Sequence, residues 1–436
     1  MAGSRKEAIA ARRREATQAR LADLGLPASG AWARAVREDA LARLTAAGLP
    51  LRQDEYWKFT NPADLVAPAV PAAALGGDDA RGMLFAGFDA LRIVFVDGVF
   101  DAEASDALAQ EGLEIERLAV AGARDIHWAK EIYGKLETRG QTPVARPFAA
   151  LNTALASDGV VIRATRPVSR PVSLTYLRRD PQAEAFLHHV IRIEAGASLT
   201  LLENGAGAAR FSVVTEVDVA ADGAFHHIRA QGRDHERRGV THMFARLAER
   251  SVAKTFTLAT NGRLTRNEVV AELTGREGVV HIAGAAVGDG TDFHQDDTVF
   301  VTHAAERCES RQVFKKVLRR GAVGVFQGKI LVHPQAQLTD GYQISQALML
   351  DETCQFLAKP ELEIYADDVK CSHGSTSGAI DPVALHYLRS RGLRRGEAER
   401  LLVLAFLAEA LDEIEDANLA EDVRDRLGAW LERHGD

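Results

Sequence analysis

A change of sequence pattern near residue 160 constrains the fold of this chain more than any other feature. From about Val160 to about Tyr365, short runs rich in Val, Ile, Thr and Phe alternate with Gly, Asn and Asp turns, and helical periodicity largely disappears. Side chains alternate between the two faces of a strand. Apolar residues of one parity therefore predict a buried face on each strand, and they are Ile191, Ile193, Leu199, Leu201, Val213, Val217 and Val219.

The spacing of turn glycines predicts how these strands are arranged. Five glycines each precede a short strand-like run, and successive ones are 27, 39, 28 and 31 residues apart. They are Gly196, Gly223, Gly262, Gly290 and Gly321. A loose period of about 20 to 50 residues is typical of solenoids, whereas a sandwich gives turns about every 8 to 12 residues. We therefore predict a parallel β-helix with one strand-bearing rung per period.

Helical patterns flank this region on both sides. We assign residues 1–145 to an N-terminal helical or mixed region, 146–378 to the β-helix core and 379–436 to a C-terminal helical region. In the first, "LRIVFVDGVF" predicts a hairpin with its turn at Asp97-Gly98. In the last, Asp381-Pro382 predicts a helix start. A small helical tail has little core of its own, so we expect an apolar stripe there to face outwards as a docking surface.

Charge and cysteine content narrow the class of protein. The 436-residue chain has a net charge of −8, which weighs against nucleic acid as the main partner. Cys308, Cys354 and Cys371 are too far apart for a Cys-x-x-Cys pair or a disulfide framework, which fits a reducing cytosol. Apolar runs such as "LLVLAFLAEA" are shorter than the roughly 18 residues of a membrane span. We expect a cytoplasmic protein with no membrane span.

Familiar catalytic motifs are missing from the sequence. "GVFQGKI" resembles the end of a phosphate loop, but Val323 stands where that motif needs Gly, and Ile330 where it needs Ser or Thr. There is no Gly-x-Gly-x-x-Gly fingerprint, no His-Glu-x-x-His and no Gly-x-Ser-x-Gly. The chain therefore has no self-sufficient catalytic motif.

Two enzymatic alternatives remain open. A polysaccharide hydrolase on a β-helix needs carboxylates gathered in one groove, for which Asp292, Asp296 and Asp297 are the candidates. A mononuclear metal enzyme could use strand histidines, although adjacent ones point to opposite faces and we expect most to lie at the surface or at rung edges. The histidines concerned are His188, His189, His226, His227, His281, His294, His303 and His333.

The stretch "EIYADDVKCSHGSTSG" carries the most specific chemistry. Leu362, Ile364 and Ala366 are apolar, whereas Cys371 and His373 have the opposite parity. If the strand stays in register, both side chains project outwards on one face, as two soft or borderline metal ligands. Two ligands are too few for a closed metal site, so the remainder would come from elsewhere in the fold or from a second chain.

Several segments resemble the SufB/SufD family of the SUF system of iron-sulfur cluster assembly. They occur in family order and are "EYWKFTN", "HQDDTVFVTHAAERCESRQVFKKVL", "GVFQGKILVHPQAQLTDGYQ" and "LEIYADDVKCSHGSTSGAIDPVALHYLRSRGL". The homologous SufB typically has a "KVEHEA"-like sequence where this chain has "VKCSHGST". The chain therefore resembles SufB less well, and SufB is expected as its partner. The loop "GSTSGAID" departs from the "GATVGQLD"-like version of many members.

The resemblance implies a right-handed parallel β-helix and a non-catalytic scaffold subunit. In that family the chains pair through their β-helices, and each binds a SufC ATPase through its C-terminal helices. Cys371 and His373 match the family's cysteine and histidine at the SufB interface, where iron or a nascent cluster is held transiently and no cofactor is tightly bound. A homodimer of the isolated chain remains open. The implied SufC-binding residues are Leu385, Leu388, Leu404, Leu407 and Leu411.

Overall fold

The computed structural model describes residues 2–75, 84–232 and 234–433 of the chain, and side chains from residue 6 onwards. Twenty strands form its centre. They are β1 Leu91–Val96, β2 Val99–Asp101, β3 Ala109–Gln110, β4 Leu113–Arg117, β5 Val160–Ala164, β6 Val172–Leu177, β7 Glu184–Ile193, β8 Ser198–Gly205, β9 Arg210–Val219, β10 Ala224–Gln231, β11 Arg238–Leu247, β12 Val252–Thr260, β13 Leu264–Leu273, β14 Val279–Asp289, β15 His294–His303, β16 Glu309–Arg319, β17 Val323–Val332, β18 Thr339–Met349, β19 Gln355–Ile364 and β20 Val369–Gly378.

The strands form two ten-stranded sheets, and the chain alternates between them from β5 onwards. Sheet A has the spatial order β2-β1-β6-β8-β10-β12-β14-β16-β18-β20, and sheet B the order β19-β17-β15-β13-β11-β9-β7-β5-β4-β3. Neighbouring strands of successive coils are parallel and in register, as where Arg238 pairs with Arg210 on one side and Leu264 on the other. The expected parallel β-solenoid flanked by helices is confirmed. Each coil has two strands, not the single strand that the glycine spacing suggested.

A ladder of residues with positive φ marks the corner where the chain passes from sheet B to sheet A. Each donates its backbone N–H to a carbonyl of the next coil, so this corner repeats with every coil. Only the first is a glycine, which explains why glycine spacing alone blurred the period. The set, with φ between 51° and 70°, is Gly196, Asp222, Arg250, Glu277, Arg307 and Leu338.

The interior between the sheets is the main hydrophobic core. The residues whose parity predicted a buried face all lie in it and are at most 1 % exposed, which confirms that prediction. The outer faces are covered as well, because β7 also buries Val190 on the side opposite to Ile191. Both surfaces of the sheets are thus used for packing within the chain.

Helices and turns of the N-terminal region cover the outer face of sheet B. Val190, Val214 and Phe244 of the sheet pack against Ile132 and Tyr133. The predicted hairpin is confirmed as β1 and β2, so strands of the two sheets begin well before residue 146. The helices of this region are α1 Ala2–Leu21, α2 Ala31–Ala47, α3 Ala63–Val66, α4 Leu118–Ala123, α5 Lys135–Arg139 and α6 Pro147–Leu155.

The C-terminal helices are α7 Pro382–Ser390, α8 Arg395–Leu411 and α9 Ala417–Arg433, and residues of α8 and α9 pack against the outer face of sheet A. The predicted helix start is confirmed, because the Asp381 carboxylate accepts a 2.8 Å hydrogen bond from the backbone N–H of Val383. Ion pairs add to the packing: Glu413 accepts from His281 and Arg311 of the sheet. In the described ranges, every helix falls short of the length and hydropathy that a bilayer crossing requires.

Candidate functional site

The two ends of the β-solenoid differ in their edge strands. At the N-terminal end the outermost strands, β2 and β3, contain three and two residues and are held by antiparallel pairing. At the C-terminal end the outermost strands, β19 and β20, contain ten residues each, and all of their residues are exposed or half-buried. A long edge strand offers backbone N–H and C=O groups to another chain, whereas a short one does not. The C-terminal end therefore presents two full-length edge strands.

Cys371 and His373 lie on β20, in this open last coil. Cys371 pairs in register with Gly341 and packs against the interior cluster of Ile330 and Val332, so its side chain is on the inner face. His373, two residues further along the same strand, shares that face and is exposed. Both side chains are accessible because no further coil of this chain covers the inner face of the last one.

The prediction that Cys371 and His373 project outwards from the strand of Leu362 is wrong in its register. The strand of Leu362, β19, ends at Ile364, and residues 365–368 turn the corner into sheet A before β20 begins. Alternation does not carry across a corner, because the chain changes sheet there. The shared face of the two residues was predicted correctly, but it is the inner face, and their exposure comes from their position at the end of the coil stack.

The Cys371 thiol is poorly prepared for metal binding in the isolated chain. Burial raises its pKa above the usual value, against the opposing effect of a hydrogen bond from the Gly341 backbone. With this raised pKa, Cys371 is a neutral thiol at neutral pH. The form of cysteine that binds metals and acts as a nucleophile is the thiolate. Within the described ranges, no group of three His, Cys, Asp or Glu side chains could hold a metal ion. A positive charge from outside the chain would favour ionisation of this thiol.

The apolar residues expected to receive a partner on the C-terminal helices are only partly available. Leu407 and Leu411 are 0 % and 1 % exposed and pack against sheet A, so they are not a docking surface. Leu404 is half-buried against the same cluster, and Leu385 and Leu388 are half-buried on α7. The apolar stripe on α8 was assigned to a partner, but it packs against sheet A of the same chain. The helix pattern alone does not show which surface such a stripe contacts.

Other apolar residues of the C-terminal helices are exposed instead. Val383 and Tyr387, one helical turn apart on α7, are 74 % and 54 % exposed, and Leu401 on α8 is 45 % exposed. The spacing of four between Val383 and Tyr387 places them on one helix face. That spacing was the sequence signal for an exposed apolar face, and it was overlooked beside the longer stripe of leucines.

The strand histidines are dispersed rather than gathered in one site. Adjacent ones do point to opposite faces, since His188 contacts Glu216 on the outside of sheet B whereas His189 contacts Tyr176 in the interior. The expectation that most lie at the surface is wrong for the buried set of His188, His189, His227 and His303.

Burial lowers the pKa of His188 to about 3 and that of His303 to about 4, so these rings are neutral. The other strand histidines make separate contacts. His226 pairs with Glu415, His281 with Glu413, and His294 with Thr60, while His333 follows β17. Together with the dispersed positions, these separate partners leave the histidines as structural groups.

The three carboxylates proposed for a hydrolase point in different directions. Asp292 is in an exposed turn. Asp296 lies on the outer face of sheet B, fully buried, where Arg266 donates to it at 2.5 Å. Asp297 lies in the interior, 2.6 Å from the amine of Lys316. The three side chains therefore do not form the carboxylate group that the hydrolase interpretation requires. Similarly, "GVFQGKI" lies within strand β17, and Lys329 pairs with Glu363 at 2.6 Å.

The comparison with known families decides between the remaining interpretations. Residues 176–406, more than half of the chain, match the family described as "SUF system FeS cluster assembly, SufBD core domain". The chain belongs to the SufB/SufD family. This family match covers most of the two-stranded coils and the first part of the C-terminal helices.

Relatives of the chain agree with this assignment and with its SufD branch. The chain is 29% identical over 407 residues to the iron-sulfur cluster assembly protein SufD of Escherichia coli, covering 90% of this chain and 91% of that protein. It is 27% identical over 416 residues to an iron-sulfur cluster assembly SufBD family protein of Synechocystis, covering 89% of each. SufD of Bacillus subtilis is 28% identical over 296 residues, covering 65% of this chain and 66% of that protein. The resemblance to the SufB/SufD family that the sequence segments indicated is confirmed.

Substitution of Asp296 tests the structural role of the carboxylates. Replacing Asp296 by Ala leaves the fully buried Arg266 with only part of its ion pairing, which we expect to lower the free energy of unfolding by about 3 kcal/mol. The matched control Asp292→Ala, at a side chain 77% exposed, should change it by less than about 0.5 kcal/mol. Urea denaturation measures both, and equal effects would contradict this assignment.

Proposed function

We propose that this chain is a non-catalytic scaffold subunit of iron-sulfur cluster assembly that pairs with SufB through the open end of its β-solenoid. The observation that carries this proposal is the contrast between the ends: two- and three-residue edge strands at one, two ten-residue edges at the other. Unpaired backbone groups on both β19 and β20 fit a partner that continues the coil stack by strand addition. A homologous chain with the same coil dimensions is the partner that matches both edges at once.

The site at this interface is half formed in the chain itself. Cys371 and His373 supply a sulfur and an imidazole nitrogen, ligand types that suit iron and iron-sulfur clusters. The partner supplies the remaining ligands, and iron or the nascent cluster is held as transient cargo, with no tightly bound cofactor. Burial raises the pKa of Cys371, and a cation beside the thiol would favour the thiolate that binds it.

The C-terminal helices provide a second, separate docking surface, which we assign to the SufC ATPase. This surface consists of the exposed apolar residues Val383, Tyr387 and Leu401, and the buried Leu407 and Leu411 support it from below by fixing α8 on sheet A. Exposed apolar side chains clustered on helices mark a protein interaction site. The scaffold thus holds the ATPase on one flank and the cluster at its end.

The setting of this function follows from the same features. Cys308, Cys354 and Cys371 are all free thiols, which suits the reducing cytoplasm. In the absence of SufB, the open edges of β19 and β20 allow two copies of this chain to associate with each other, as homologous surfaces often do.

Substitution of His373 tests the site. In cells that co-express the chain with SufB and SufC, we expect His373→Ala to leave the complex intact but to reduce its iron-sulfur content at least about tenfold, because a ligand is lost. Iron and sulfide analysis of the purified complex measures this. The control is Ser372→Ala, an exposed neighbour on the opposite face of the same strand. A cluster content in His373→Ala equal to that of the control would refute the site.

Substitution of Val383 tests the second docking surface. We expect Val383→Asp to abolish co-purification of SufC with the chain, since a charge enters an apolar contact, while SufB still co-purifies. Val120→Asp is the matched control, because Val120 is also exposed, at 46 %, but lies in the N-terminal region. Retention of SufC by Val383→Asp, or its loss in both variants, would contradict the assignment.

A further inference from the structure

Several polar side chains inside the β-solenoid are paired with each other. Gln231 and Asn267 exchange two hydrogen bonds of 2.9 Å. His227 lies 2.7 Å from Glu203, and Lys316 lies 2.6 Å from Asp297. A buried polar group without a partner costs about 1–3 kcal/mol, so such pairing is the normal state of a polar interior.

Two glutamines of the interior lack such pairing. Gln312 on β16 and Gln343 on β18 are both 0 % exposed, yet neither the oxygen nor the nitrogen of either amide has a hydrogen-bond partner in the described part of the chain. Gln343 pairs in register with Gln312 on one side and with His373 on the other. Residues in register on parallel strands share a face. The unpartnered amide of Gln343 therefore lies directly behind His373 in the interior.

Packing gives the Gln343 amide a definite position. A Cβ atom built on Gly328, across the interior on β17, would lie 2.3 Å from Nε2 of Gln343. The amide of Gln343 thus occupies the space that a side chain at position 328 would fill. The Gln343 amide is therefore packed against Gly328, and in the described part of the chain its N–H and C=O groups have no hydrogen-bond partner.

We propose, on the basis of the proposed function, that Gln343 is a positioning residue of the Cys371–His373 site. Its amide hydrogen-bonds to a small polar ligand on the metal held there, which is either water or sulfide. Groups that orient the ligands of a metal in this way typically change its affinity by about 10- to 100-fold. The site at the open end then includes a polar group of this chain on β18, the strand next to β20.

Anaerobic titration with Co²⁺ tests the proposal on the purified complex with SufB and SufC. Visible absorption follows binding, with and without added sulfide, and the absorption that His373→Ala removes defines the site. We expect Gln343→Leu to weaken Co²⁺ binding at that site about tenfold and to shift its absorption spectrum. An effect without sulfide identifies water as the ligand, and an effect only with sulfide identifies sulfide.

Gln312→Leu is the matched control, since Gln312 is equally buried and unpartnered but is one coil deeper. Neither leucine should destabilise the fold, because an unpartnered amide is replaced by an apolar group of similar size. Wild-type binding by Gln343→Leu in both titrations, or an equal loss in Gln312→Leu, would overturn the inference. If His373→Ala removes no absorption, the proposed site itself fails, whatever Gln343 does.

Discussion

Backbone hydrogen bonding between successive coils is the interaction on which the rest of this structure depends. Each strand of a parallel solenoid satisfies its N–H and C=O groups on the coil before it and the coil after it. The stack therefore has two ends where this pairing must stop. This chain closes the first end with the hairpin of β1 and β2 and the short strand β3, and it leaves β19 and β20 as full-length edges.

The open end determines how Cys371 and His373 are exposed. Cys371 and His373 would be interior residues if one more coil of this chain followed, because they lie on the inner face of β20. Their accessibility is a consequence of where the coil stack ends. The same reasoning applies to Gln343, which is buried by the last coil yet has no partner for its amide within the described residues. An added coil on β20 would cover Cys371 and His373 and leave Gln343 one coil deeper in the stack.

Sequence reasoning predicted the fold well and the site in part, and the errors have physical causes. Parity identified the buried faces of β7 to β9 because alternation holds within a strand. It failed between Leu362 and Cys371 because residues 365–368 form a corner, where the alternation starts anew. Glycine spacing blurred the coil period because the glycines lie at two different corners: Gly223 precedes β10 of sheet A, whereas Gly262 precedes β13 of sheet B. Leu407 was misplaced because its helix, Arg395–Leu411, covers strands that are distant in the sequence, β14 Val279–Asp289 and β16 Glu309–Arg319.

Amide hydrogen exchange of the chain, alone and bound to SufB, tests the central claim most directly. The account predicts that amides of Gln355–Ile364 and Val369–Gly378 exchange quickly in the monomeric chain and at least about 100-fold more slowly in the complex, since strand pairing protects them. Amides of β1 to β4 should exchange at the same rate in both states. Protection of β1 to β4 by SufB, with unchanged exchange in β19 and β20, would contradict the account.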